Sequence, residues 1–149
     1  MIPATGRVLA LDWGTSRIGV AISDETQLVA SPLDTLTRRT GRRLPVAQFL
    51  TLVTRERPVG LVVGLPLDDD GREGDSARAA REMGVAFAAR SYLPLEWIDE
   101  SFTTARTLET MIEMGRRPTT SNVDRHAAAE LLQQWLDERR AREKERTRE

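Results

Sequence analysis

One short stretch near the start restricts this chain more than any other: Arg7-Val8-Leu9-Ala10-Leu11-Asp12-Trp13-Gly14-Thr15-Ser16-Arg17-Ile18-Gly19-Val20-Ala21. An apolar run ends in a carboxylate, passes through a small polar loop and resumes as a second apolar run. That is the pattern of a β-hairpin with one acid at the end of a buried strand. A buried carboxylate is costly unless a cation or hydrogen bonds compensate it. Two compensations are open for Asp12: backbone hydrogen bonds in a tight turn, or a divalent metal ion. The metal reading makes the position of every other acid informative.

The rest of the chain supplies a frame for those acids. Extended runs at Arg7–Leu11, Ile18–Ser23 and about Leu28–Thr37 are joined by connections too short for helical crossovers, which predicts an antiparallel meander. Leu44–Glu56 has helical spacing through Val46, Phe49, Leu50 and Val53. Gly60–Leu65 is wholly apolar and rich in β-branched residues, as a buried parallel strand should be. A loop over Pro66–Gly74, a helix over roughly Ser76–Arg90 and a strand at Leu95–Asp99 follow. Helices over about Thr103–Met114 and Val123–Arg142 close the chain. The expectation is an α/β fold, a mixed five-stranded sheet flanked by helices.

Composition removes several chemistries. The 149 residues contain no Cys and one His, which excludes disulfides, thiolate zinc and multi-histidine sites. No apolar run approaches the roughly 20 residues that cross a bilayer. The N-terminus lacks the basic start and apolar core of a signal peptide, so a cytoplasmic protein with no membrane contact is expected. The net charge of −1 does not announce a nucleic-acid binder, but the distribution says more. Lys144 is the only lysine among 22 basic residues, and Arg38, Arg39, Arg42 and Arg43 share one loop while Arg116 and Arg117 share another. Arginine forks match phosphate oxygens in a bidentate way. A codon bias towards arginine is the better account of the overall excess, and for the two clusters it stands level with the phosphate reading.

In an open α/β sheet, ligands bind at the carboxyl edge of the parallel strands. Asp12 ends the first strand, Asp99 and Glu100 end the last, and Asp124 opens the final helix. If that helix packs across the sheet, three acids converge. Clustered carboxylates call for hard cations with oxygen ligands, Mg²⁺ or Mn²⁺. Successive strand residues face opposite sides, so only one of Asp99 and Glu100 points inward. Asp124 also suits a helix N-cap, unless Ser121 or Asn122 takes that role. Asp68-Asp69-Asp70-Gly71 lacks the spacing of a calcium loop and reads as a solvated turn. His126 is a structural or exposed residue by default, with a role in placing water or metal as the alternative.

Together the motifs resemble the YqgF (RuvX) family of the RNase H-like nuclease superfamily. The marks are Asp12-Trp13-Gly14-Thr15 with Ile18-Gly19-Val20-Ala21, Val63-Gly64-Leu65-Pro66-Leu67 with Asp70-Gly71, Asp99-Glu100-Ser101-Phe102-Thr103-Thr104, and Val123-Asp124 before Ala127-Ala128. They run in order from about Arg7 to Trp135. The resemblance implies an RNase H-like nuclease domain over residues 1–136, and the mixed charges of 137–149, which have no apolar face, read as a solvated helix extension or tail. It implies a catalytic and metal-binding triad at Asp12, Glu100 and Asp124, with Asp99 the second choice beside Glu100. Two ions are expected, one activating water and the other stabilising the departing 3′ oxygen. Two positions depart from the family: Ser101 stands where Arg is frequent and Asn122 where Lys is frequent, both removing positive charge beside the site.

Family members are described as nucleases that trim the 5′ end of precursor 16S ribosomal RNA or as Holliday-junction resolvases. The first is the expectation here and the second the alternative, with a non-catalytic nucleic-acid-binding module further back. The partner is therefore RNA, single-stranded or structured, or branched DNA, and a resolvase implies a symmetric homodimer. Thr15, Ser16 and Arg17, with the arginines at 38, 39, 42, 43, 116 and 117, are the expected phosphate contacts. Asp-Trp-Gly-Thr-Ser also resembles the phosphate loop of sugar kinases and actin-like ATPases, but those close two such domains around a nucleotide.

Overall fold

The computed structural model describes residues 1–38, 43–68, 70–100, 112–113, 115 and 120–148, with the backbone alone at 120–122. Strands β1 (Val8–Asp12), β2 (Arg17–Ser23) and β3 (Ala30–Thr37) form the expected meander. Helix α1 (Val46–Glu56) leads to β4 (Gly60–Leu65), α2 (Asp75–Ser91) leads to β5 (Leu95–Asp99), and α3 (Thr120–Arg148) ends the chain. Among the described residues the sheet has five strands in the order β3-β2-β1-β4-β5. The β1–β2 and β2–β3 pairs are antiparallel; β1–β4 and β4–β5 are parallel.

The expected mixed sheet flanked by helices is therefore present, and β4 and β5 fall on their expected residues. The helix expected over about Thr103–Met114 lies outside the described residues, except that Ile112 and Glu113 are helical. The last helix is longer at both ends than its apolar pattern predicted. Hydrophobic spacing marks only the part of a helix that touches the core, so polar turns beyond it go unseen.

Strand alternation assigns the side chains to two layers. Leu9, Leu11, Ile18, Val20, Leu61 and Val63 pack under α1 and α2, where Phe49 and Phe87 stack with ring centroids 4.1 Å apart. Val8, Ala10, Ala21, Val62 and Ile98 face α3, which contributes Ala128, Leu131, Leu132, Trp135 and Leu136. Trp135 is thus a core residue. Beyond it, Arg139 lies over the Trp135 ring and donates to the carbonyls of Ile2 and Pro3, tying α3 to the N-terminal segment. The charged extension continues α3 to Arg148, and residues 141–148 are exposed. Among the described residues, no helix is long and apolar enough to cross a membrane.

Candidate active site

Asp12 is the last residue of β1 and is paired across the hairpin with Gly19 of β2. It follows Val8 and Ala10 in the alternation, so its carboxyl turns to the α3 face. The hairpin turn is held by the end of β3. The Arg38 main-chain N–H donates to the Ser16 carbonyl at 2.9 Å, and its guanidinium donates to the Thr15 carbonyl at 2.6 Å. The same guanidinium lies 4.4 Å from the centroid of the Trp13 ring, a stacked cation–π contact.

Glu100 follows β5 directly and donates its main-chain N–H to the Leu65 carbonyl at 3.0 Å, which continues the parallel ladder by one residue. Trp97 packs on the α1–α2 layer and Ile98 on the α3 layer. By the same alternation Asp99 turns away from α3 and Glu100 turns towards it. The Glu100 side chain passes over Gly64, where a Cβ would stand 3.1 Å from its Cγ and overlap Leu131 Cδ1. The missing side chain at Gly64 is the space through which Glu100 reaches Asp12.

Asp124 arrives from the opposite side. Because α3 starts at Thr120, Asp124 sits past the first turn and is not the N-cap. Its main chain presses against β2: a Cβ at Gly19 would overlap the Asp124 carbonyl oxygen. Glycine within a strand marks such close backbone approaches. Its carboxylate Oδ2 accepts a hydrogen bond from Arg17 Nε at 2.8 Å, in a pair whose side chains are 37% and 27% exposed.

Burial pushes the Asp12 carboxyl well above the usual carboxylate range, and three further causes act in the same direction. These are a hydrogen bond with the Glu100 carboxyl, the charge of Glu100, and the charge of Asp124. A hydrogen bond between two carboxyl groups needs a proton on one of them. Asp12, Glu100 and Asp124 are therefore brought into one electrostatic group at the carboxyl edge of the sheet. Among the described residues, no three acidic or histidine side chains already stand at metal-ligating spacing; the Asp124 carboxylate is engaged by Arg17 instead.

The remaining sequence candidates divide. Asp99 does not join the group: it is exposed on the edge strand, and its charge acts on Arg81 of α2, whose guanidinium lies over Trp97. Of the two neighbouring acids, the strand's alternation turns Glu100 and not Asp99, the second choice as a metal ligand, towards α3. Thr15 and Ser16 are exposed beside Arg17 at the mouth of the group. Arg38 is half-buried as a clamp on the turn, and Arg43 is exposed near the start of α1. Arg39, Arg42, Arg116 and Arg117 lie outside the described residues. Asp68 and Asp70 belong to a solvated turn, closed by main-chain bonds from Asp68 to Arg72 and from Gly71 to Asp68. His126 is buried in α3. The positions that sequence reasoning passed over are Gly19 and, as a passage for Glu100, Gly64. The available signal was a glycine in the interior of each buried strand.

A mixed sheet in this order, with acids at its carboxyl edge beneath a final helix, is the architecture of the RNase H-like fold. "T. thermophilus RuvC in complex with Holliday junction substrate" has the same fold, with a TM-score of 0.59 over 91% of this chain and 96% of that one at 14% identity. The chain belongs to the RuvX (YqgF) family, whose model, described as Holliday junction resolvase, matches residues 6–138. Among curated relatives, proteins named "Putative pre-16S rRNA nuclease" are 41% identical in Anaeromyxobacter sp. (strain Fw109-5) and 36% identical in Rhodopseudomonas palustris (strain BisA53). Both alignments cover 91% of this chain, with 99% and 83% of the respective relatives.

Proposed function

We propose that the chain hydrolyses phosphodiester bonds at Asp12, Glu100 and Asp124 with divalent cations, and that its substrate is the 5′ end of precursor 16S ribosomal RNA. The observation that carries the chemistry is the crowding of Asp12. A carboxyl buried against Glu100 and within reach of the Asp124 charge opposes folding unless protons or cations relieve it. The donor set is anionic and all oxygen, which fits Mg²⁺ or Mn²⁺ and does not fit softer metals. These carboxylates would hold the ions, which when bound would supply a nucleophilic water at neutral pH and positive charge beside the leaving 3′ oxygen.

The chain's own residues do the rest. Asp12 and Glu100 are held on the sheet, and Asp124 is held by a helix seated on Gly19, so the three ligands stand on rigid elements. The exposed hydroxyls of Thr15 and Ser16, with the Arg17 guanidinium, receive the flanking phosphate. Arg38 fixes the loop that presents them, and Arg43 extends the basic surface. The relatives' name supports the ribosomal RNA substrate. The description of the family model supports a second reading, a Holliday-junction resolvase, which requires a symmetric homodimer.

The test is cleavage in Mn²⁺ of a precursor rRNA fragment and of a four-way DNA junction, with Asp12→Asn and Asp124→Asn alongside. RNA cleavage lost in both variants is the expected result. Removal of outer partners of metal ligands costs 10–100-fold, so loss of a ligand should cost more than about 100-fold. Paired symmetric cuts in the junction alone would replace the RNA reading with the resolvase. Cleavage that survives in Asp12→Asn would remove the site assignment.

A further inference from the structure

Arg17 stands in an unusual place for a phosphate contact, because its guanidinium already neutralises one of the three site carboxylates. The bond from its Nε to Asp124 Oδ2 is 2.8 Å long. Accepting the metal reading above, we propose that Arg17 is an internal counter-ion: it holds Asp124 until a divalent cation displaces it, and the released guanidinium then takes substrate phosphate.

Three observations support this. The pair is weakly held: its side chains are 37% and 27% exposed, and such half-exposed ion pairs are easily outcompeted by a doubly charged ion among carboxylates. Asp124 cannot be freed by a shift of the helix inwards, since its main chain already rests on Gly19. The adjustment therefore falls on side chains, with the Arg17 guanidinium swinging outwards. Finally, the Arg17 main chain is fixed as the first residue of β2, paired with Thr37, so the swing is confined to its side chain. Its landing place is the mouth of the site, beside exposed Thr15 and Ser16.

The consequence is a coupling between cation and nucleic acid beyond direct bridging. The cation that takes Asp124 exposes Arg17 for phosphate, and by reciprocity phosphate held by Arg17 favours binding of that cation.

The experiment uses the full chain without substrate. Arginine Nε–Hε signals are followed by NMR during a Mg²⁺ titration, the Arg17 signal being identified by its loss in Arg17→Gln, and Mg²⁺ affinity is measured by calorimetry on both proteins. The Arg17 signal is expected to be protected from solvent exchange without Mg²⁺ and to lose protection at saturation. Arg17→Gln, freed of the competitor, should bind Mg²⁺ more tightly by up to about five-fold. A signal that stays protected at saturation overturns the proposal, as does an affinity in Arg17→Gln that is equal or weaker. If Arg17→Gln does not fold, Arg17→Lys identifies the signal and the wild-type titration decides. Absence of Mg²⁺ binding by the wild type overturns the metal site itself, and this inference with it. Binding with Arg17 still in place overturns this inference alone.

Discussion

The two faces of the sheet are built from different materials. Under α1 and α2 the strands present Leu9, Leu11, Ile18, Val20, Leu61 and Val63, and the helices answer with Phe49, Leu52, Met83 and Phe87. Large side chains interdigitate there and hold the helices away from the strands. On the α3 face the strands present Ala10, Gly19, Ala21 and Gly64, and the helix answers with Ala127, Ala128 and Ala129 at its near end. Small residues let the backbones touch, as at Gly19 and Asp124. Both faces bury apolar volume, the second through Leu131, Leu132, Trp135 and Leu136, but the α3 face also gathers the charges of Glu100 and Asp124 around Asp12 at its near end. One sheet serves both purposes because alternate residues of the same strand face opposite layers.

That division can be broken by substitution. Phe49→Ala removes half of the stacked pair from the large-residue face and should cost about 3–5 kcal/mol of stability. Below its melting transition, cleavage and Mn²⁺ affinity per folded molecule should match the wild type. A selective loss of Mn²⁺ binding, measured by calorimetry on the folded fraction, would show that the faces are coupled.

Gly19→Ala tests the other face. Its Cβ meets backbone rather than a flexible side-chain end, so the helix must move, at about 1–3 kcal/mol. The expected signature is the reverse of Phe49→Ala: a smaller loss in urea unfolding but a cleavage defect out of proportion to it. Gly64→Ala should follow the same pattern more weakly, since its overlap is with the end of Leu131. Full activity in Gly19→Ala would mean that close seating of α3 is unnecessary.

The smallest effect concerns pH. Asp12 has its folded-state value raised above the ordinary 3.8, so the folded chain holds its proton more tightly than the unfolded chain. The penalty for ionising it is absent below the unfolded value, grows as pH rises, and is complete above the folded value. In metal-free buffer, Asp12→Asn should therefore melt higher than the wild type at neutral pH, and the gap should close on acidification towards pH 4. A gap that is reversed or independent of pH would remove the electrostatic account of the cluster. Added Mg²⁺ should stabilise the wild type and leave Asp12→Asn nearly unmoved.

How much of this was legible in the chain depended on whether a signal was local. Gly60–Leu65 and Leu95–Asp99 read correctly as strands because continuous apolar or β-branched character suffices for a buried parallel strand. Asp12 stood out because a lone acid closing an apolar run is rare without a reason. Glu100 over Asp99 was a harder choice. Trp97 and Ile98 are both apolar, so the strand shows no polar face to set the phase, and family resemblance rather than alternation favoured Glu100. The start of α3 was also hidden, since Thr120–Asn122 are polar and carry no periodic signal; Asp124 therefore looked like a cap.

The sequence by itself determined the element types, the sheet's mixed character and the acid that closes β1, since each follows from side-chain chemistry over a few neighbouring residues. Only the tertiary structure decided which face each acid serves, that Glu100 reaches Asp12 across an empty Gly64, that α3 rests on Gly19, and that Arg17 holds Asp124. These facts concern residues up to 107 positions apart in the chain, joined by packing. Local pattern records what a residue prefers to be near, whereas the partner it meets is set by which surfaces fit together once the sheet has closed.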